Sequence, residues 1–133
     1  MTLSELKQYT YLRSKIKQFD EEINYLRHIA ITDTVAGSDS DFPYSKRTFK
    51  IKGADKPTAI RIQELKDRRT DYRQRKAAIE AYIDSIRDLR TQEIFEQKFI
   101  YNRSWLEVAR RIGGRNTADS VRKTCRRYID RHK

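Results

Sequence analysis

Two apolar stripes constrain this chain more than anything else in it. The first runs Tyr9, Leu12, Ile16, Phe19, Ile23, Leu26, Ala30. The second runs Ile62, Leu65, Tyr72, Ile79, Ile83, Ile86, with Arg69 and Lys76 at the two positions that complete its register. Alternating steps of three and four residues place a stripe along one side of an α-helix, whereas a strand requires a period of two. The spacing predicts one helix over about Leu3 to Ala30 and another over about Thr58 to Leu89. Each has a face to bury, either against the other in an antiparallel hairpin or against a second copy in a coiled-coil-like dimer. Arg69 and Lys76 fit such a seam if their stems lie along apolar surface and their heads reach water or a carboxylate such as Asp20 or Glu21.

Between the stripes, over 31–57, the periodicity stops. Ala36-Gly37-Ser38-Asp39-Ser40-Asp41 favours turns, because Gly and Asp tolerate unusual backbone angles and short polar side chains compete for backbone hydrogen bonds. Thr48-Phe49-Lys50-Ile51-Lys52 alternates polar and apolar, the pattern of a short strand arm. Residues 1–90 are therefore expected to form a long helical hairpin with an irregular connector at 31–57, and 91–133 a second, C-terminal domain. The balance of 37% hydrophobic and 37% charged residues, with four Gly and two Pro, suits long solvated helices. The expected class is all-α.

Beyond Leu89 the pattern shortens. Ile94, Phe95 and Phe99 make a compact apolar face, and Asn102 stands where a turn would end it. Ser104-Trp105-Leu106-Glu107 has the spacing of a capping box, in which Ser accepts from the Glu107 N–H and the Glu side chain returns to the Ser104 N–H. Trp105, Val108, Ala109 and Ile112 follow on one face before Gly113-Gly114 stops the helix. Arg115-Asn116-Thr117 is a polar turn whose Thr117 can cap a last helix, with Val121, Cys125, Tyr128 or Ile129, and His132 spaced for one buried face. A short helix, a Gly-containing turn and a second helix make a helix-turn-helix.

Charge supports a polyanionic partner. The chain carries 30 Lys and Arg against 19 Asp and Glu, a formal net charge of +11. Asn102 to Lys133 holds ten of the basic residues and only three of the acidic ones. Residues near the start of a helix in the DNA major groove reach furthest toward base edges, so Asn116, Ser120 and Lys123 are the candidate base readers. Arg115, Arg122, Arg126 and Arg127 are candidate phosphate contacts.

Other classes find little support. Cys125 has no second cysteine to pair with, and His28 and His132 lack the spacing of a metal site, so no metal and no cofactor are expected. Asp39 and Asp41 lack the further ligands of a calcium loop. The carboxylates are scattered along charged helices, and Gly113-Gly114 lacks the frame of a phosphate-binding loop, so an enzyme is not expected. No apolar run approaches the roughly 20 residues that span a bilayer. The expectation is a cytoplasmic protein with no membrane partner.

The stretch Ile94-Phe95-Glu96-Gln97-Lys98-Phe99-Ile100-Tyr101-Asn102-Arg103-Ser104-Trp105-Leu106-Glu107-Val108-Ala109-Arg110-Arg111-Ile112 resembles region 4 of bacterial sigma factors. Thr117-Ala118-Asp119-Ser120-Val121-Arg122-Lys123 looks like the start of the recognition helix of that region. With long helices ahead of it and Asp41-Phe42-Pro43-Tyr44 in the connector, the chain resembles the small sigma-like late-gene regulators of bacteriophages and prophages, the ArpU and RinA kind. The resemblance implies sequence-specific binding of double-stranded DNA by Arg115, Asn116, Thr117, Ser120, Arg122, Lys123, Arg126 and Arg127, contact with the RNA polymerase of the bacterial host, and homo-oligomers through the long helices. No sigma region 2 is present, and Ser120 stands where sigma factors often carry a larger polar or basic residue, so a complete sigma factor is not implied. The alternative is a small terminase subunit that binds viral DNA for packaging.

Overall fold

The hydroxyl of Thr2 accepts from the Glu5 backbone N–H and so starts the first helix, α1, at Leu3–Lys7. The computed structural model describes the backbone of residues 1–40 and 56–132 and the side chains of 1–29 and 56–132. It is all-α: α2 spans Tyr9–Ser40, α3 Lys56–Asp84, α4 Leu89–Phe95, α5 Trp105–Ile112 and α6 Ala118–Arg131, with a π-helical segment at Glu96–Ile100. No strand occurs among the described residues, and none of the helices is long and apolar enough to cross a membrane.

Several boundaries differ from those expected. A tightened turn at Gln8, whose N–H donates to Glu5 O, separates α1 from α2 where one helix was expected. Helix α2 runs on to Ser40, and α3 begins at Lys56, so both ends of the expected connector are helical. Loss of the apolar stripe after Ala30 removes a packing face, but the stretch to Ser40 contains no proline to break the backbone ladder. Pro57 falls in the first turn of α3, where its missing N–H has no intrahelical partner to lose. The expected arm at Thr48–Lys52 lies outside the described residues.

Helix α3 ends at Asp84, short of Leu89. Ser85 Oγ donates to the Tyr82 carbonyl at 2.6 Å, and Asp88 accepts from the Thr91 N–H at 3.0 Å and its hydroxyl at 2.7 Å. The two bonds from Thr91 hold the Asp88 carboxyl below its usual range. Asp88 thus caps α4.

The chain divides into two compact units, Lys15–Tyr72 and Met1–Ser14 with Arg73–Lys133. In the first, Phe19, Ile23 and Leu65 are buried together, with Leu26, Ile62 and Tyr72 against them. Phe19 meets Tyr72 at 5.4 Å between ring centroids, Arg69 meets Asp20 at 2.6 Å, and Arg61 meets Glu22 at 3.5 Å. Those pairs advance along α2 while retreating along α3, so the two helices are antiparallel and the stripes meet within one chain. Arg69 finds the Asp20 carboxylate that its place on the seam requires.

In the second unit Leu6, Tyr9 and Leu12 of the first two helices, Ile79 and Ile83 of α3, and Ile86 beyond it are buried. Lys76 pairs along its own helix with Glu80 at 3.0 Å, the carboxylate to which Tyr9 OH also donates. Phe95 lies at the centre of an aromatic group, with ring centroids 6.2 Å from Tyr82, 5.4 Å from Tyr128 and 5.5 Å from Phe99.

The Tyr82 hydroxyl is buried without a hydrogen-bond partner, and burial pushes its pKa up. An unsatisfied buried hydroxyl costs about 1–3 kcal/mol against its hydrated unfolded state. Tyr82→Phe should therefore raise the unfolding free energy by about 1 kcal/mol in urea denaturation. A loss of stability would show that the hydroxyl is satisfied.

Candidate nucleic-acid interface

The helix-turn-helix is built from its caps inward. Ser104 Oγ accepts from the Glu107 N–H at 3.2 Å and starts α5. The expected return bond from the Glu107 side chain to the Ser104 N–H does not form, and Glu107 is exposed. Asn102, ahead of this cap, takes φ of 54°, a left-handed conformation that Asn accepts more readily than most residues. Val108 and Ala109 are buried and Trp105 and Ile112 half-buried, so α5 turns the predicted face inward.

Helix α5 ends at Gly113, with φ of 77° and ψ of −164°, and Gly114 follows with φ of 65°. The turn after it is tied on three sides. Asn116 Nδ2 donates to Gly113 O at 2.7 Å. Asn116 Oδ1 accepts from Arg90 Nη2 at 2.6 Å and Nε at 3.1 Å, and Arg90 Nη1 donates to Thr124 Oγ1 at 3.1 Å. Thr117 and Ser120 form the reciprocal capping box: the Ser120 N–H donates to Thr117 Oγ1 at 3.1 Å, and the Thr117 N–H donates to Ser120 Oγ at 2.9 Å.

These bonds give three of the candidate site residues structural partners, with Thr117 in the capping place expected of it. Asn116 and Ser120 spend their side-chain polar atoms on the turn and the cap, and Thr117 is the cap itself. They shape the entry to α6. Arg90, on α4, was missed in the sequence, because nothing local marks a residue 26 positions away as the brace of a turn.

Helix α6 buries Val121, Cys125 and Ile129. Burial pushes the Cys125 thiol up to about 12, so it is a core side chain and not a nucleophile. His132 was expected on the buried face but is exposed and stacks on Tyr128 at 4.2 Å, because it follows the last helical residue, Arg131.

The helical period divides the four basic residues between Arg122 and Arg127 into two ridges, with Arg131 at the end of the helix. Lys123 and Arg127, one turn apart, lie furthest from the buried line. Arg122 and Arg126 lie on its flank. All four are exposed, as is Arg115 at the turn. Asp119 meets Arg122 at 2.7 Å and Lys123 at 3.0 Å, and those two bonds hold its carboxyl below the usual range. The pairing restrains the two cations at the start of the helix, where an acid also complements the helix dipole.

The conformation of Gly113 lies in a region that is essentially open to Gly alone, although a Cβ there would meet nothing within 4 Å. Gly113→Ala should therefore cost about 1–3 kcal/mol through backbone strain alone. Gly114→Asn, in the left-handed helical region, should cost less than 1 kcal/mol by thermal denaturation, about the penalty Asn usually meets there. Equal costs would contradict the assignment.

No family model, curated protein or solved structure matches this chain.

Proposed function

We propose that the chain is a sequence-specific DNA-binding protein whose α5, turn and α6 dock α6 in the major groove. The observation that carries this reading is a capped, exposed basic helix that follows a short helix across a Gly turn held by Arg90, Asn116 and Thr124. A merely solvated basic helix needs no such brace. An α-helix fits the major groove, and an outward Lys or Arg can donate to guanine O6 and N7. Lys123 and Arg127 are the readers in this proposal, with Arg115, Arg122 and Arg126 on phosphates.

The resemblance to sigma region 4 adds a biological setting: a regulator of phage type that activates late genes in the cytoplasm of a bacterial host and contacts its RNA polymerase. The outward ridge supports the DNA part of that reading. The polymerase contact rests on the resemblance alone, and an oligomer through the long helices on the resemblance and the apolar stripes.

The test is duplex binding by Lys123→Gln with Arg127→Gln. The double variant should bind a selected duplex at least about tenfold more weakly and discriminate less among sequences, while its melting temperature holds. Unchanged affinity and discrimination would remove α6 from the interface.

A further inference from the structure

The flanking ridge of α6 has surroundings of its own. Arg122 and Arg126 line a cavity of about 270 Å³ with Lys7, Lys98, Leu3 and the indole of Trp105. Four of the described residues lining it are cations and none is a carboxylate. Two of these cations also have acids outside the cavity: Asp119 takes one Arg122 nitrogen at 2.7 Å, and Asp130 lines a neighbouring cavity with Arg126. Among the described residues, Lys98 has no carboxylate pair. Its ammonium lies 4.7 Å from the centre of the Trp105 ring. Loss of water, and then the charge of Lys7, lower its pKa.

The backbone that carries Lys98 is itself unusual. Single π-helical turns recur at functional sites, because the extra residue per turn re-aims the side chains that follow. Here the turn spans Glu96–Ile100, and Lys98 in its middle lines the cavity. Cations gathered beside an apolar wall repel one another in a medium that screens them less than water does. An anion relieves that repulsion. A phosphoryl group suits this one best, since its several oxygens can each take a donor from the guanidinium and ammonium groups of the lining residues.

We propose that this cavity binds a phosphoryl group, with Lys98, Arg122 and Arg126 as its donors and Trp105 as its wall. The group has two sources. One is a backbone phosphate of the duplex on α6, in which case the inference rests on the DNA-binding reading above. The other is a free phosphorylated molecule, which does not require that reading.

Trp105 is the only tryptophan of the chain, so its fluorescence, excited apart from the eight tyrosines, reports from the wall of this cavity. The full chain is titrated at constant ionic strength with inorganic phosphate and, separately, with a labelled duplex whose binding is followed by anisotropy. The expected result is a saturable change in Trp105 emission that requires about tenfold more ligand, or is lost, in Lys98→Gln. Saturation by phosphate identifies a free ligand. Saturation by duplex alone, with the salt slope of binding reduced by about one in Lys98→Gln, identifies the DNA backbone. Arg126→Gln, at an exposed position, repeats the measurement if Lys98→Gln does not fold.

If neither ligand changes the emission, or if both variants titrate like the parent chain, there is no site. Duplex binding that leaves Trp105 unmoved and is equal in the variants overturns the cavity and leaves the DNA reading standing. A phosphate response without any duplex binding does the reverse.

Discussion

Phe95 is the contact on which the C-terminal unit depends. It is fully buried, and its ring touches Tyr82 of α3, Phe99 of the π-helical segment and Tyr128 of α6. Helix α6 has only 14 residues and a strongly charged outer face, and an isolated helix of that length is marginal in water. Its stability must come from packing, and Tyr128 against Phe95, with Val121, Cys125 and Ile129 in the core, supplies it. The same packing fixes the rotation of α6 about its axis. That rotation decides which of its cations face outward and which face the cavity.

The second constraint is polar. A helix-turn-helix presents a helix usefully only if the turn before it is held, and here Arg90 reaches from α4 to Asn116 in the turn and Thr124 in α6. The Thr117–Ser120 box satisfies two backbone N–H groups at the start of α6, so neither the brace nor the cap uses Lys123 or Arg127. Asn116 and Ser120 thereby have structural partners in the turn and the cap. Recognition in this account falls to longer side chains further along the helix, whose heads reach past the cap.

The fold was legible where periodicity carries the information. The two stripes identified the paired helices, and the place of Arg69 on the seam led to a carboxylate partner such as Asp20. The Gly113-Gly114 stop and the Thr117 cap located the start of α6 to the residue. Ends without an apolar signature were read less well, because stripe and helix are different things: α2 continues to Ser40 with its stripe gone, and α3 stops at Asp84 although the second stripe runs on to the buried Ile86. The site was legible as a set of residue types, but not as an arrangement. Sequence spacing alone does not show that Asn116 faces Arg90, nor that Lys7 and Lys98 join Arg122 and Arg126 around one cavity. Those neighbours come from different helices and leave no local trace.

The central claim is that α6 reads a DNA sequence and does not merely attract a polyanion. Selection of bound fragments from a random duplex pool at about physiological salt tests it most directly, because non-specific phosphate contacts weaken steeply as salt rises whereas base contacts persist. The account predicts enrichment of one motif. Retention of the pool without enrichment, at every salt concentration that allows binding, would contradict it and reduce the basic helix to an electrostatic surface.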